Sequence, residues 1–170
     1  MTERAVVQQD FNGVYFAHKD KVWRLVSRYA HSKHDREDLF QEVWLRVHQS
    51  LAKFRGESEV STWLYRLTVN TSLSFLKKQS RQQRIRQVLA GLRFIEHDDG
   101  PRDEPDTAVM EPLKKLNPRQ RIILLMSDVE EKKLEEIGKL LDLPVGTVKS
   151  NLFRAREIVR KELEKNDRLQ

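Results

Sequence analysis

The 170-residue sequence has no cysteine. That absence excludes a disulfide framework, a thiolate zinc site and a cysteine nucleophile together. Glycine and proline are scarce, at six and five residues, so little interrupts a helix. No apolar run approaches the ~18 residues of a membrane span. The start, Met1-Thr2-Glu3-Arg4, lacks the basic region and apolar core of a secretion signal. A cytoplasmic, soluble protein without stable membrane insertion is expected. There is also no phosphate-cradling glycine loop, no nucleophile elbow and no compact catalytic cluster. No enzyme activity, cofactor or metal is therefore expected. His31, His34 and Asp35 form the nearest thing to a metal motif, and polar residues in a helix connection account for them better.

What the sequence does have is charge. Lys and Arg number 32 against 26 Asp and Glu, a formal net charge of +6. That balance favours a polyanionic partner. Hydrophobic residues at 38% and charged residues at 34% suit helices with one solvated face.

Spacing predicts an all-α protein. Phe11, Val14 and Tyr15 mark a first helix, continued by Val22, Leu25, Val26 and Tyr29. Asp35 is expected to cap a long helix carrying Leu39, Val43 and Val47. Phe54-Arg55-Gly56-Glu57-Ser58 breaks the pattern, and a further helix runs from about Ser61 through Leu64, Leu67 and Leu76. The acidic stretch Glu96–Asp106, with Gly100, Pro101 and Pro105, has no apolar period and reads as a flexible linker. Beyond it, Asn117-Pro118 is a helix start. Two segments, about Leu134 to Leu141 and Pro144 to Leu163, are parted only by the turn at Asp142-Leu143, which makes a helix-turn-helix candidate. The expected organisation is an N-terminal domain over 1–90, a linker over 91–111 and a C-terminal domain over 112–170.

Four groups of residues stand out. Asp38, Gln41 and Glu42 share one helix face, with Leu39 and Val43 on a neighbouring apolar one. The face suits an Arg-rich partner or is simply solvated. Phe54 sits in a polar loop beside Arg55, either as a contact residue or as a plug over the core. Trp63, Arg66, Asn70 and Ser74 recur at helical spacing, with Trp63 equally readable as a core anchor, and Lys77 opens a basic cluster that attracts phosphate or is a solvated helix end. In the second helix of the C-terminal pair, Val148 and Leu152 face inward. Thr147, Lys149, Ser150, Asn151, Phe153 and Arg154 are left for a groove.

Asp38-Leu39-Phe40-Gln41-Glu42-Val43-Trp44, Phe54-Arg55-Gly56-Glu57-Ser58 and Thr62-Trp63-Leu64-Tyr65-Arg66 resemble region 2 of the extracytoplasmic-function sigma factors of the sigma-70 family. Gly146-Thr147-Val148-Lys149-Ser150 and Phe153-Arg154-Ala155-Arg156 resemble region 4. The resemblance implies a non-catalytic specificity subunit that brings core RNA polymerase to a promoter, acting as a monomer under an anti-sigma protein. It gives Asp38, Leu39, Gln41 and Glu42 to the polymerase clamp. Phe54, Arg55, Trp63, Arg66, Asn70, Ser74 and Lys77 go to the −10 DNA element, and Thr147, Lys149, Ser150, Asn151, Phe153 and Arg154 to the −35 element. It also implies that the acidic linker threads a basic RNA-exit path. Two positions depart from the family pattern: Asn151 stands where Arg is commonest, and Val60 where an aromatic is usual. The alternative is a stand-alone helix-turn-helix regulator, which would bind DNA as a dimer without polymerase.

Overall fold

The computed structural model describes residues 10–92 and 111–167, and every regular element among them is helical. The acidic stretch Glu96–Asp106 lies outside the described residues. The chain forms two compact units, Met1–Ser72 and Leu73–Gln170.

In the first unit, α1 (Phe11–Tyr29) starts where the Asp10 carboxylate accepts from the Gly13 amide at 3.3 Å. It buries Val14, Val22, Leu25, Val26 and Tyr29, the stripe that the spacing predicts. Helix α2 (Lys33–Leu51) is capped by Ser32, not by Asp35. Ser32 holds the extended backbone that a cap requires, and its Oγ accepts from the Asp35 amide at 3.0 Å. Asp35 lies inside the first turn, where its charge complements the exposed amides of the helix start.

Between α1 and α2 the packing is aromatic. Trp44 is buried with its ring 4.7 Å from that of Tyr15, 6.0 Å from Phe11 and 6.1 Å from Phe40. Helix α3 (Val60–Leu92) enters the unit with Leu64 and Val69 buried beside three buried hydroxyls, Thr68, Thr71 and Ser72. Each hydroxyl donates to the carbonyl one turn back, Leu64, Leu67 and Thr68, at 2.7–2.8 Å. Polar side chains are thus buried without needing a partner on another helix.

In the second unit, α4 (Glu111–Lys114) precedes α5 (Pro118–Leu124). Asn117 and Gln120 cap α5 reciprocally, Gln120 N to Asn117 Oδ1 at 2.9 Å and Asn117 N to Gln120 Oε1 at 3.1 Å. The helix widens into a π turn over Leu125–Val129. Then follow α6 (Leu134–Leu141) and α7 (Val145–Asp167). Ile122, Ile123, Met126, Ile137 and Val148 are fully buried and form the core.

The α6–α7 turn depends on two residues. Asp142 takes a left-handed conformation (φ 54°), one that a short polar side chain tolerates. The Leu143 amide donates back to the Gly138 carbonyl at 2.9 Å. A Cβ on Gly138 would lie 2.8 Å from the Leu143 carbonyl oxygen, so glycine is required there by the approach of the turn.

Candidate nucleic-acid and polymerase interfaces

On α2, the structure separates two faces. Leu39, Val43, Trp44 and Val47 are buried, while Asp38 and Gln41 are exposed and Glu42 is half-buried. Leu39, with no exposed surface, anchors the stripe from behind instead of facing a partner. Among the described residues, the two acids are held by surface contacts within the helix. Asp38 Oδ2 lies 3.4 Å from His34 Nε2, and Glu42 Oε1 accepts from Arg46 Nη2 at 2.8 Å. Pairs this exposed are weak and exchange readily for another cation.

The loop after α2 turns at Gly56, whose φ of +67° is the left-handed value that glycine adopts without cost. Phe54 is half-buried, and its ring lies 5.1 Å from that of Trp63, tilted by 42°. The two aromatics singled out separately in the sequence are therefore one pair, tying the loop to the first turn of α3. Arg55, Glu57 and Ser58 are exposed around it.

Along α3, Arg66, Asn70, Ser74 and Lys77 are exposed. They follow Trp63 at helical spacing, on the side opposite Leu64, Thr68 and Thr71. This leaves cationic and amide groups in water, in line with the half-buried Trp63. Cationic and amide side chains of this kind hold phosphates and base edges, and an exposed aromatic edge can stack on an unpaired base.

Helix α7 is sided in the same way. Val148, Leu152 and Ala155 are buried, while Lys149, Arg154 and Phe153 are exposed, Phe153 to 68%. Thr147, Ser150 and Asn151 are half-buried at the start of the helix. Asn151 Nδ2 and Ser150 Oγ both donate to the Thr147 carbonyl, at 2.8 and 3.1 Å. One of the two Asn151 amide N–H groups is thus given to its own helix, which orients the other N–H and the Oδ1 that a bidentate contact with adenine would use.

Two features of this unit escape sequence reasoning. One is Gly138, which carries no special signal inside an otherwise ordinary helix. The other is the pair formed by Arg156 and Asp128, which no local pattern connects. Hydrogen bonds from Arg156 hold the Asp128 carboxyl below its ordinary value against a smaller opposing effect of burial, and the Arg156 guanidinium is raised in turn, chiefly by Asp128. On α7 the half-buried Glu162 carboxyl is likewise lowered, chiefly by its hydrogen bond from Lys165.

Among the described residues no His, Cys, Asp or Glu cluster is arranged to hold a metal, and no helix is long and apolar enough to cross a membrane.

Comparison with known proteins agrees with this layout. Residues 14–82 match the family model of sigma-70 region 2, and residues 107–159 match that of sigma-70 region 4. The chain is 30% identical to the ECF RNA polymerase sigma-E factor of Haemophilus influenzae, over 96% of each chain. It is 30% identical to the ECF RNA polymerase sigma factor SigW of Bacillus subtilis, over 92% of this chain and 90% of the relative. In fold it is similar to the sigma factor RpoE of Bartonella quintana, solved with the anti-sigma factor NepR. That likeness has a TM-score of 0.62 at 20% identity, over 91% of this chain and 97% of the other.

Proposed function

Since the chain belongs to the sigma-70 family as an extracytoplasmic-function RNA polymerase sigma factor, we propose a division of labour between its two units. The first unit docks on core polymerase through Asp38, Gln41 and Glu42, with Leu39 behind them. The unpaired −10 strand is captured by the Phe54–Trp63 pair, Arg55 and the α3 line Arg66, Asn70, Ser74 and Lys77. The second unit reads the −35 duplex with Thr147, Lys149, Ser150, Asn151, Phe153 and Arg154 of α7.

The observation that carries this reading is the sidedness of α2, whose acidic and amide groups face water while Leu39, Val43, Trp44 and Val47 are buried. A dimerisation helix of a stand-alone regulator has no evident use for such a stripe. As a specificity subunit the chain does no chemistry of its own. Two individually weak contacts on one tether reinforce each other through effective concentration. The domains are assigned to residues 1–90 and 112–170, with 91–111 as the tether. The factor works as a cytoplasmic monomer until an anti-sigma protein covers these surfaces. The complex of the RpoE relative with NepR supports that last point by analogy of fold.

Run-off transcription from a genomic-fragment library, with core polymerase alone and with the purified protein, tests the proposal. Discrete new start sites that need the protein and vanish with Asp38→Lys/Gln41→Ala support it. No new starts, together with dimeric binding to DNA in the absence of polymerase, overturn it.

A further inference from the structure

The face of α3 turned away from the Trp63–Lys77 line forms, with α1, a groove of about 240 Å³ inside the first unit. Its floor is apolar, made by Val22, Leu25 and Leu64, all buried. Tyr65, half-buried, forms one wall. Along the α1 rim stand Lys21, Arg24 and Arg28, all exposed, with His18 among the lining residues. The three cations fall at i, i+3 and i+7, so they make a ladder about 10 Å long on one side of the helix. No acidic side chain lines the groove. Asp20, the acid nearest in sequence to this ladder, is exposed on α1 but is not part of the lining.

These features go beyond the proposed promoter and polymerase contacts. The groove residues Ser61, Leu64, Tyr65 and Thr68 recur at helical spacing on the side of α3 opposite Trp63, Arg66 and Asn70, so a strand held by that line does not reach them. An apolar slot with an aromatic wall accepts a flat ring, and a line of cations beside it accepts phosphates. The volume is below the ~300–1,000 Å³ of sites for larger ligands, which fits one nucleotide unit.

We propose that the groove between α1 and α3 binds a phosphorylated nucleoside, the base lying on Leu25, Leu64 and Tyr65 and the phosphates on Lys21, Arg24 and Arg28. The shared chemistry admits two sources, a free nucleotide or one nucleotide of a single strand.

The test is titration of the isotope-labelled full chain, followed by amide chemical shifts, with ATP, with inorganic tripolyphosphate and with a short single-stranded oligonucleotide. ATP is expected to give saturable shifts centred on the groove, and tripolyphosphate to bind more weakly because it leaves the apolar floor unused. Lys21→Glu/Arg24→Glu should weaken ATP roughly tenfold or more, as loss of two charge-assisted contacts requires. Arg24→Gln, which keeps the helix and removes the charge without reversing it, should give a smaller loss in the same direction. An oligonucleotide that displaces ATP from the groove assigns the ligand to a strand, and one that does not assigns it to free nucleotide. Shifts scattered away from the groove, unchanged affinity in the double variant, or tripolyphosphate binding as tightly as ATP would each overturn the proposal. None of these readouts involves transcription, so they stand or fall apart from the promoter assignments.

Discussion

Arg156 of α7 grips Asp128 of the π turn through both carboxylate oxygens, Nη2 to Oδ1 at 2.6 Å and Nε to Oδ2 at 3.1 Å. The two residues lie 28 positions apart, and the pair fastens the end of α5's extension to the helix proposed to enter DNA. Both side chains are partly exposed, so solvent screens the interaction to about 0.5–1 kcal/mol. Its pH dependence follows from the lowered Asp128 carboxyl. The contribution is fully present above the unfolded carboxyl value of about 3.9 and is lost as pH falls through the lower native one. Arg156, raised above its ordinary range, stays cationic throughout that window. Urea unfolding at neutral pH should therefore show Asp128→Asn less stable than the parent, and the gap should narrow as pH falls below about 3.9 and close once the native carboxyl is protonated. A gap that persists in acid would mean that the pair acts through packing.

Gly138→Ala should damage the same unit more severely. The added Cβ would meet the Leu143 carbonyl oxygen at 2.8 Å, and backbone, unlike a side-chain tip, cannot swing aside. Overpacking of this kind costs about 1–3 kcal/mol. The thermal midpoint should fall, and duplex binding by α7 should fall with it. Unchanged stability would show that the α6–α7 turn opens freely.

Much of this architecture was legible in the sequence because helical periodicity is a local signal. Val22, Leu25, Val26 and Tyr29 announce their buried face, and Asn117-Pro118 announces a start. Where local rules compete, the reading slipped. Asp35 and Ser32 are both good caps, and only the backbone decides that Ser32 is the cap and Asp35 is already in the first turn. Where the decisive neighbour is distant, nothing in the sequence pointed to it. The π turn at Leu125–Val129, the Gly138–Leu143 approach and the Asp128–Arg156 pair all arise when separate segments meet. The candidate site residues were found by motif, but their pairing was not. That Phe54 packs on Trp63 depends on the loop folding back over α3.

That pairing sets up a distinction between structural and DNA-contacting roles. Phe54→Ala removes one ring from a half-buried aromatic pair worth about 0.5–1.5 kcal/mol beyond its buried area, so the first unit should remain folded. If Phe54 also contacts an unpaired base, the variant should still assemble with polymerase yet lose promoter opening, seen as loss of permanganate-reactive thymines at the −10 element. Phe54→Leu, which restores apolar volume without a stacking face, separates the roles. Opening rescued by leucine would make Phe54 a plug, whereas opening still lost would make it a base contact.

Asn151 offers the cleanest test of how α7 reads DNA. One N–H of its amide is given to the Thr147 carbonyl at 2.8 Å, which leaves the other N–H and Oδ1 to meet a base edge. Replacing it with arginine adds a charge at a half-buried position on the first turns of the helix, beside exposed Lys149 and Arg154. If the new guanidinium finds a phosphate, affinity should rise on every sequence, and the slope of log affinity against log salt should steepen by about one. If it finds guanine, the gain should be confined to sites with guanine at one position, about 1–3 kcal/mol there, with that position changing in a selection from random duplexes. Asn151→Ala completes the comparison. If the amide serves only to bind the Thr147 carbonyl of its own helix, alanine should cost little affinity and leave the selected sequence nearly unchanged. A loss at one adenine position alone would instead show that the remaining N–H and Oδ1 of Asn151 read a base.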